Sequence, residues 1–172
     1  SYLMKLLKAA YGENISDAET LRARMYAKKE EIVQKDGFPQ IPGVKEAIKR
    51  LHDEGFRLEV ASSSAGYYIG RVLDALEIRQ YFECYTSGEE VEHPKPAPDT
   101  FLRAMEKLNL KPEDCIIVED STNGGKAAAA AGAKCVWFHN PDSGDQQIPH
   151  AVLTITSWSP ENVDKLIDLM HA

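Results

Sequence analysis

The sequence predicts an α/β fold, a parallel sheet with helices on both faces, preceded by a short helical unit. Two observations predict it. Beyond residue 43, short apolar runs of strand length alternate with stretches whose apolar residues recur at helical spacing. Alternation of this kind implies right-handed crossovers and parallel strands. The turn-rich stretch "KDGFPQIPG" (35–43) separates the alternating part from two helical segments ahead of it.

Those two segments are expected at 2–11 and 16–35. Ser16 is placed to cap the second, with Glu19 completing a capping box. Leu21, Met25, Ile32 and Val33 give it a partly apolar face. A helix follows at 44–54, with Val44, Ile48 and Leu51 on one side, and it ends at Gly55. Next come a strand at 56–61, a helix at 67–76, a strand at 82–86, a helix at 98–108 and a strand at 115–118. The alanine-rich run predicts a helix at 126–131, then a strand at 134–138 and a last helix near 160–170. The expected division is a helical unit over 1–38 and an α/β core over 39–172.

Composition narrows the function. Hydrophobic residues make up 43% and charged residues 27%, as in ordinary globular domains. No apolar run approaches the roughly 20 residues that span a bilayer, so no membrane partner is expected. The net charge of −7 argues against a nucleic-acid partner. It also means that an anionic ligand must be met by a local positive feature. The three cysteines, Cys84, Cys115 and Cys135, lie far apart in or beside apolar runs, which predicts buried reduced thiols and a cytoplasmic protein. The five histidines lack metal-ligand spacing.

In a parallel sheet, ligands bind beyond the carboxyl ends of the strands. The strand at 56–61 runs into Ser62, Ser63, Ser64, Ala65 and Gly66, where hydroxyls and free amides at a helix start can cradle an anion. The strand at 82–86 is followed by "HPKPAPD" (93–99), in which prolines present Lys95 from a stiff loop suited to phosphate. The strand at 115–118 ends in Glu119 and Asp120. Adjacent carboxylates at a sheet edge are relieved by solvent, by a basic partner or by a divalent cation. Oxygen donors favour a hard ion, Mg²⁺ first. Hydroxyls, a lysine and an acidic pair at three strand ends together predict a phosphate-and-magnesium site.

These segments resemble the haloacid dehalogenase superfamily, in its branch of sugar-phosphate phosphatases and β-phosphoglucomutase. "LEVASSS", "HPKPAPDTF" and "IIVEDSTNGGKAAAAAG" are similar to its second, third and fourth motifs. The resemblance implies a Rossmann-like core with part of a helical cap. It implies Ser62 and Lys95 as catalytic phosphate-binding groups, with Glu119 and Asp120 at the metal. It also implies an Mg²⁺-dependent phosphatase of a small phosphorylated sugar or related metabolite, acting through an aspartyl-phosphate. A β-phosphoglucomutase-type phosphomutase is the alternative, and Ala65-Gly66, where the mutase branch carries a longer side chain and then Asn, tilts away from it. A non-catalytic phosphate-binding protein is the alternative of another class.

The family's first motif, an Asp-x-Asp ending a central strand, has no counterpart here. "DSGD" (142–145) has the wrong spacing. Without that strand the sheet would open in its middle, leaving unpaired backbone groups at roughly 1–3 kcal/mol each. The expectation is therefore an N-terminal extension on the order of 50 residues, or a partner segment that supplies the strand.

Overall fold

The computed structural model describes residues 18–171. The expected helix at 2–11 and the expected Ser16 cap lie outside the described residues. The chain divides into two compact units, Ser1–Pro39 and Gln40–Ala172.

In the first unit, helix α1 spans Ala18–Asp36. Its surface is largely solvated: Tyr26 and Ile32 are exposed, and Lys28 pairs with Glu31 one turn away at 2.9 Å.

The second unit opens with α2 (Val44–Asp53), whose apolar side buries Ala47 and Leu51. Gly55 follows at φ 88°, and its amide donates to the His52 carbonyl at 2.9 Å, closing the helix as the sequence predicts. Then come β1 (Glu59–Ser62), α3 (Gly66–Ala75), β2 (Cys84–Ser87), α4 (Asp99–Leu108) and β3 (Ile116–Glu119). The chain continues through α5 (Thr122–Ala131), β4 (Lys134–Phe138), β5 (Leu153–Ile155) and α6 (Pro160–His171). Strand β5 is absent from the sequence reading. It is three residues long and is defined by its pairing with β4, where Val136 opposes Leu153 and Phe138 opposes Ile155.

Among the described residues all pairings are parallel, and they form two sheets, β1-β2 and β3-β4-β5. Helices cover both faces. Strand β4 shows how: Val136 and Phe138 pack with Leu51 of α2 and with Val163, Leu166 and Ile167 of α6. Cys135 and Trp137 point to the other face, toward Phe101 and Met105 of α4 and the alanines of α5. This two-residue alternation is the pleat of a strand buried on both sides. A third cluster, Ile69, Leu73 and Ile78, holds α3 beside β1 and β2.

Strands β1 and β3 are not hydrogen-bonded to each other. A cleft of about 660 Å³ lies between them, lined by 58–62 on one side and 116–119 on the other, with Phe101, Met105, Phe138 and Leu166 among its apolar walls. Val118 is 36% exposed although it sits in an apolar strand. The expected sheet is thus divided between β1 and β3, because no described segment of the chain lies between them.

Candidate active site

Three strand ends build the mouth of this cleft. Ser62, Ser63, Lys95, Glu119, Asp120 and Ser121 all line it.

At the end of β1 the Ser62 hydroxyl accepts from the Ser64 amide at 3.1 Å, which folds the chain sharply toward α3. Ser62 and Ser63 reach the cleft. Ser64, Ala65 and Gly66 do not line it. Ser87, at the end of β2, donates its hydroxyl to the Ser64 carbonyl at 2.8 Å. The Gly66 amide donates to the Glu89 carboxylate at 3.2 Å. Part of the expected anion cradle is therefore already occupied by an acidic side chain of the chain itself.

Lys95 comes from the proline-rich loop, where the Lys95-Pro96 peptide is cis. Its side chain is only 9% exposed. The ammonium bonds the Glu119 carboxylate, reaches the Ala61 carbonyl at 3.1 Å and lies 4.1 Å from the centre of the Phe101 ring. Buried amines are held in this way by charge-assisted bonds and an aromatic face.

Glu119 accepts further bonds on Oε2, from the Ser121 amide at 3.3 Å, the Ser121 hydroxyl at 3.0 Å and the Asp120 amide at 3.2 Å. Ser121 is also the N-cap of α5, accepting from the Gly124 amide at 3.0 Å. The helix consequently starts at Thr122, four residues earlier than the sequence reading, and includes Gly124 and Gly125. A Cβ at Gly124 would collide with the Glu119 carboxylate, and one at Gly125 would meet Ile148 Cγ2 at 2.7 Å. The two glycines sit in the helix because neighbouring side chains need their space.

Asp120 is relieved differently. Its Oδ2 accepts from the Ser143 hydroxyl. Ser143 and Glu89 are the contributors that sequence reading missed. The available signal was position: Ser143 lies in a run of turn formers after a strand end, at the ligand side of a parallel sheet.

The donors fit a hard cation in kind, being carboxylate and hydroxyl oxygens. Their number is small. Among the described residues no group of three or more His, Cys, Asp and Glu gathers in one place. Glu119 is engaged by Lys95 and Ser121, and Asp120 is the acid with an oxygen to offer.

Comparison with known proteins shows what the chain is similar to. Hexitol phosphatase B of Escherichia coli K12 is 32% identical over 115 residues, 67% of this chain and 51% of that protein. Protein CbbY of Rhodobacter capsulatus is 34% identical over 157 residues, 86% of this chain and 68% of that protein. The chain spans about half the length of several curated relatives it matches. Among solved structures, CbbY of Rhodobacter sphaeroides with xylulose-1,5-bisphosphate is similar at TM-score 0.64 and 27% identity, over 70% of this chain and 55% of that one. The same protein with phosphate matches at TM-score 0.75 and 23% identity, over 92% and 72%, which shows the fold. A family model described as haloacid dehalogenase-like hydrolase matches residues 4–138, more than half of the sequence, and the chain belongs to that family.

Proposed function

We propose that this chain carries most of the phosphate and metal machinery of an Mg²⁺-dependent phosphatase acting on a small phosphorylated sugar or related metabolite. The observation that carries the proposal is the convergence of Ser62, Lys95, Glu119 and Asp120 at one cleft mouth. The names of the relatives, phosphatases of phosphorylated carbohydrates, hexitols and phosphoglycolate, support the substrate class.

Lys95 and the Ser62 hydroxyl would hold the phosphoryl oxygens and offset the charge that grows on them. Asp120 would hold Mg²⁺ directly, with Glu119 keeping Lys95 aimed into the site. The ion supplies charge neutralisation at the phosphoryl group when bound.

The nucleophile belongs to a strand that fills the gap between β1 and β3, supplied by a further segment of the protein or by a partner. The cleft is flanked by an edge strand of each sheet, β1 and β3. An aspartate at its end would attack phosphorus as the bond to the leaving alcohol breaks, and that alcohol oxygen would take a proton from a neighbouring acid. Water would then attack the acyl phosphate, releasing inorganic phosphate and restoring the carboxylate.

Full-length protein should hydrolyse sugar phosphates only with Mg²⁺, and Asp120→Ala should abolish that turnover. Background-level, magnesium-independent turnover across a broad panel of phosphate esters would favour a phosphate-binding protein instead. A folded monomer whose intact mass is that of 172 residues, active alone, would rule out the supplied strand.

A further inference from the structure

The excursion between β4 and β5 spans residues 139–152. Its middle part is held against the Asp120 turn and the start of α5 that follows it. The Gln146 side chain grips two backbones at once. Its Oε1 accepts from the Thr122 amide at 2.8 Å, and its Nε2 donates to the Ser143 carbonyl at 2.9 Å. The Gln147 amide donates to the Thr122 hydroxyl at 2.9 Å. Ile148, 2% exposed, packs against Gly125, and His150 Nε2 lies 2.8 Å from the Gly125 carbonyl.

Inside this brace, Asn140 caps the single 3-10 turn Pro141–Ser143 by accepting from the Asp142 amide at 3.1 Å. The local turn therefore does not need the Ser143 hydroxyl. That hydroxyl has one proton to donate, and it goes to Asp120 Oδ2. An aspartate carboxylate turns easily about its last torsion, which is broad and two-fold. A donor fixed from a second element removes that freedom and leaves Oδ1 as the oxygen available to a cation. Ligating carboxylates are commonly oriented in this way by an outer hydrogen bond.

We propose that Ser143 is a positioning residue for Asp120, and that Gln146 sets its distance by clamping the β4–β5 excursion to the start of α5. The proposal rests on the reading of Asp120 as the Mg²⁺ ligand and adds to it a pair of residues outside the acidic motif. Their role is to preorganise the metal ligand, with no contact to substrate.

The test is calorimetric titration of the full-length protein with Mg²⁺ alone, beside thermal melting. Ser143→Ala should weaken Mg²⁺ binding about tenfold with its melting temperature unchanged. Ser143→Thr, which keeps the hydroxyl, should recover most of the loss, and Gln146→Ala should weaken binding in the same direction. Ser143→Ala binding within twofold of wild type would overturn the proposal. So would a loss that follows a fall in melting temperature and that Ser143→Thr does not restore. Wild-type protein that binds no Mg²⁺, or Asp120→Ala that binds it as well as wild type, would overturn the metal reading itself, and this inference with it.

Discussion

Lys95 joins the Glu119 carboxylate at the end of β3 to the Ala61 carbonyl, 3.1 Å away in β1. One ammonium thus ties together the carboxyl ends of two strands that share no backbone hydrogen bond. Both side chains of the ion pair are about nine-tenths buried. Lysine and glutamate here hold the cleft mouth as well as lining it.

That dual role predicts an asymmetric response to mutation. Lys95→Met should destabilise the protein by about 3 kcal/mol, because Glu119 is left as a buried charge without its partner. Adding Glu119→Gln should recover much of the loss, since a neutral amide does not demand a counter-ion. Urea unfolding of both single variants and the double variant measures the coupling. Additive effects would show that the pair does not act as a unit.

Gly124 gives a second prediction. Alanine is the better helix former by about 1 kcal/mol, and the backbone at Gly124 has no positive φ to forbid it. Substitution would ordinarily stabilise the helix. Here the added methyl collides with the Glu119 carboxylate. Gly124→Ala should therefore lower stability by roughly 1–3 kcal/mol and weaken Mg²⁺-dependent turnover together. A melting temperature at or above wild type would contradict the close approach.

The thiols should be slow to react. Burial, ahead of all other causes, pushes Cys84 and Cys135 up to about 11. Burial also raises Cys115. At pH 8 a thiol with such a pKa is ionised in about one molecule in a thousand. Alkylation of native protein by iodoacetamide should be far slower than in urea, and should speed up about tenfold per pH unit toward 11. Rapid labelling of Cys135 at pH 8 in native protein would show that it is not enclosed.

Glu59 predicts a pH effect on stability. Desolvation raises its pKa, against hydrogen bonds from Thr86 and Cys84 and the attraction of Lys107. Its Oε2 is buried and unpaired. The folded protein therefore holds this proton more tightly than the unfolded chain. The stability that the protonated form contributes is present below the unfolded pKa and is lost as pH rises through the folded one. Glu59→Gln removes that loss, so its stability relative to wild type should be higher at pH 7 than near pH 4. Urea unfolding at the two pH values checks this, and the opposite order would refute it.

Most elements could be read from the sequence because they rest on local periodicity. Helix α2, strand β4 and helix α6 lie where periodicity placed them, although of the expected α2 stripe of Val44, Ile48 and Leu51 only Leu51 is fully buried, beside Ala47. The family motifs were also readable, since Ser62 and Glu119 end strands and Asp120 and Lys95 come after them. Where reading failed, a distant partner decided. Strand β5 exists through its pairing with β4. Helix α5 begins at Thr122 because Ser121 caps it and because Glu119 and Ile148 occupy the space above Gly124 and Gly125.

The sequence by itself determined the α/β class, the order of its elements other than β5 and which polar residues stand at the strand ends, because those depend on neighbours along the chain. Only the tertiary structure decided how each charge is satisfied. Of the three outcomes open for the acidic pair, Glu119 took one, a lysine, while Asp120 took a partner outside them, the Ser143 hydroxyl. It also gave the Gly66 amide to Glu89. Such pairings join residues 23 or 24 positions apart, and no periodicity encodes a contact whose geometry is set by packing.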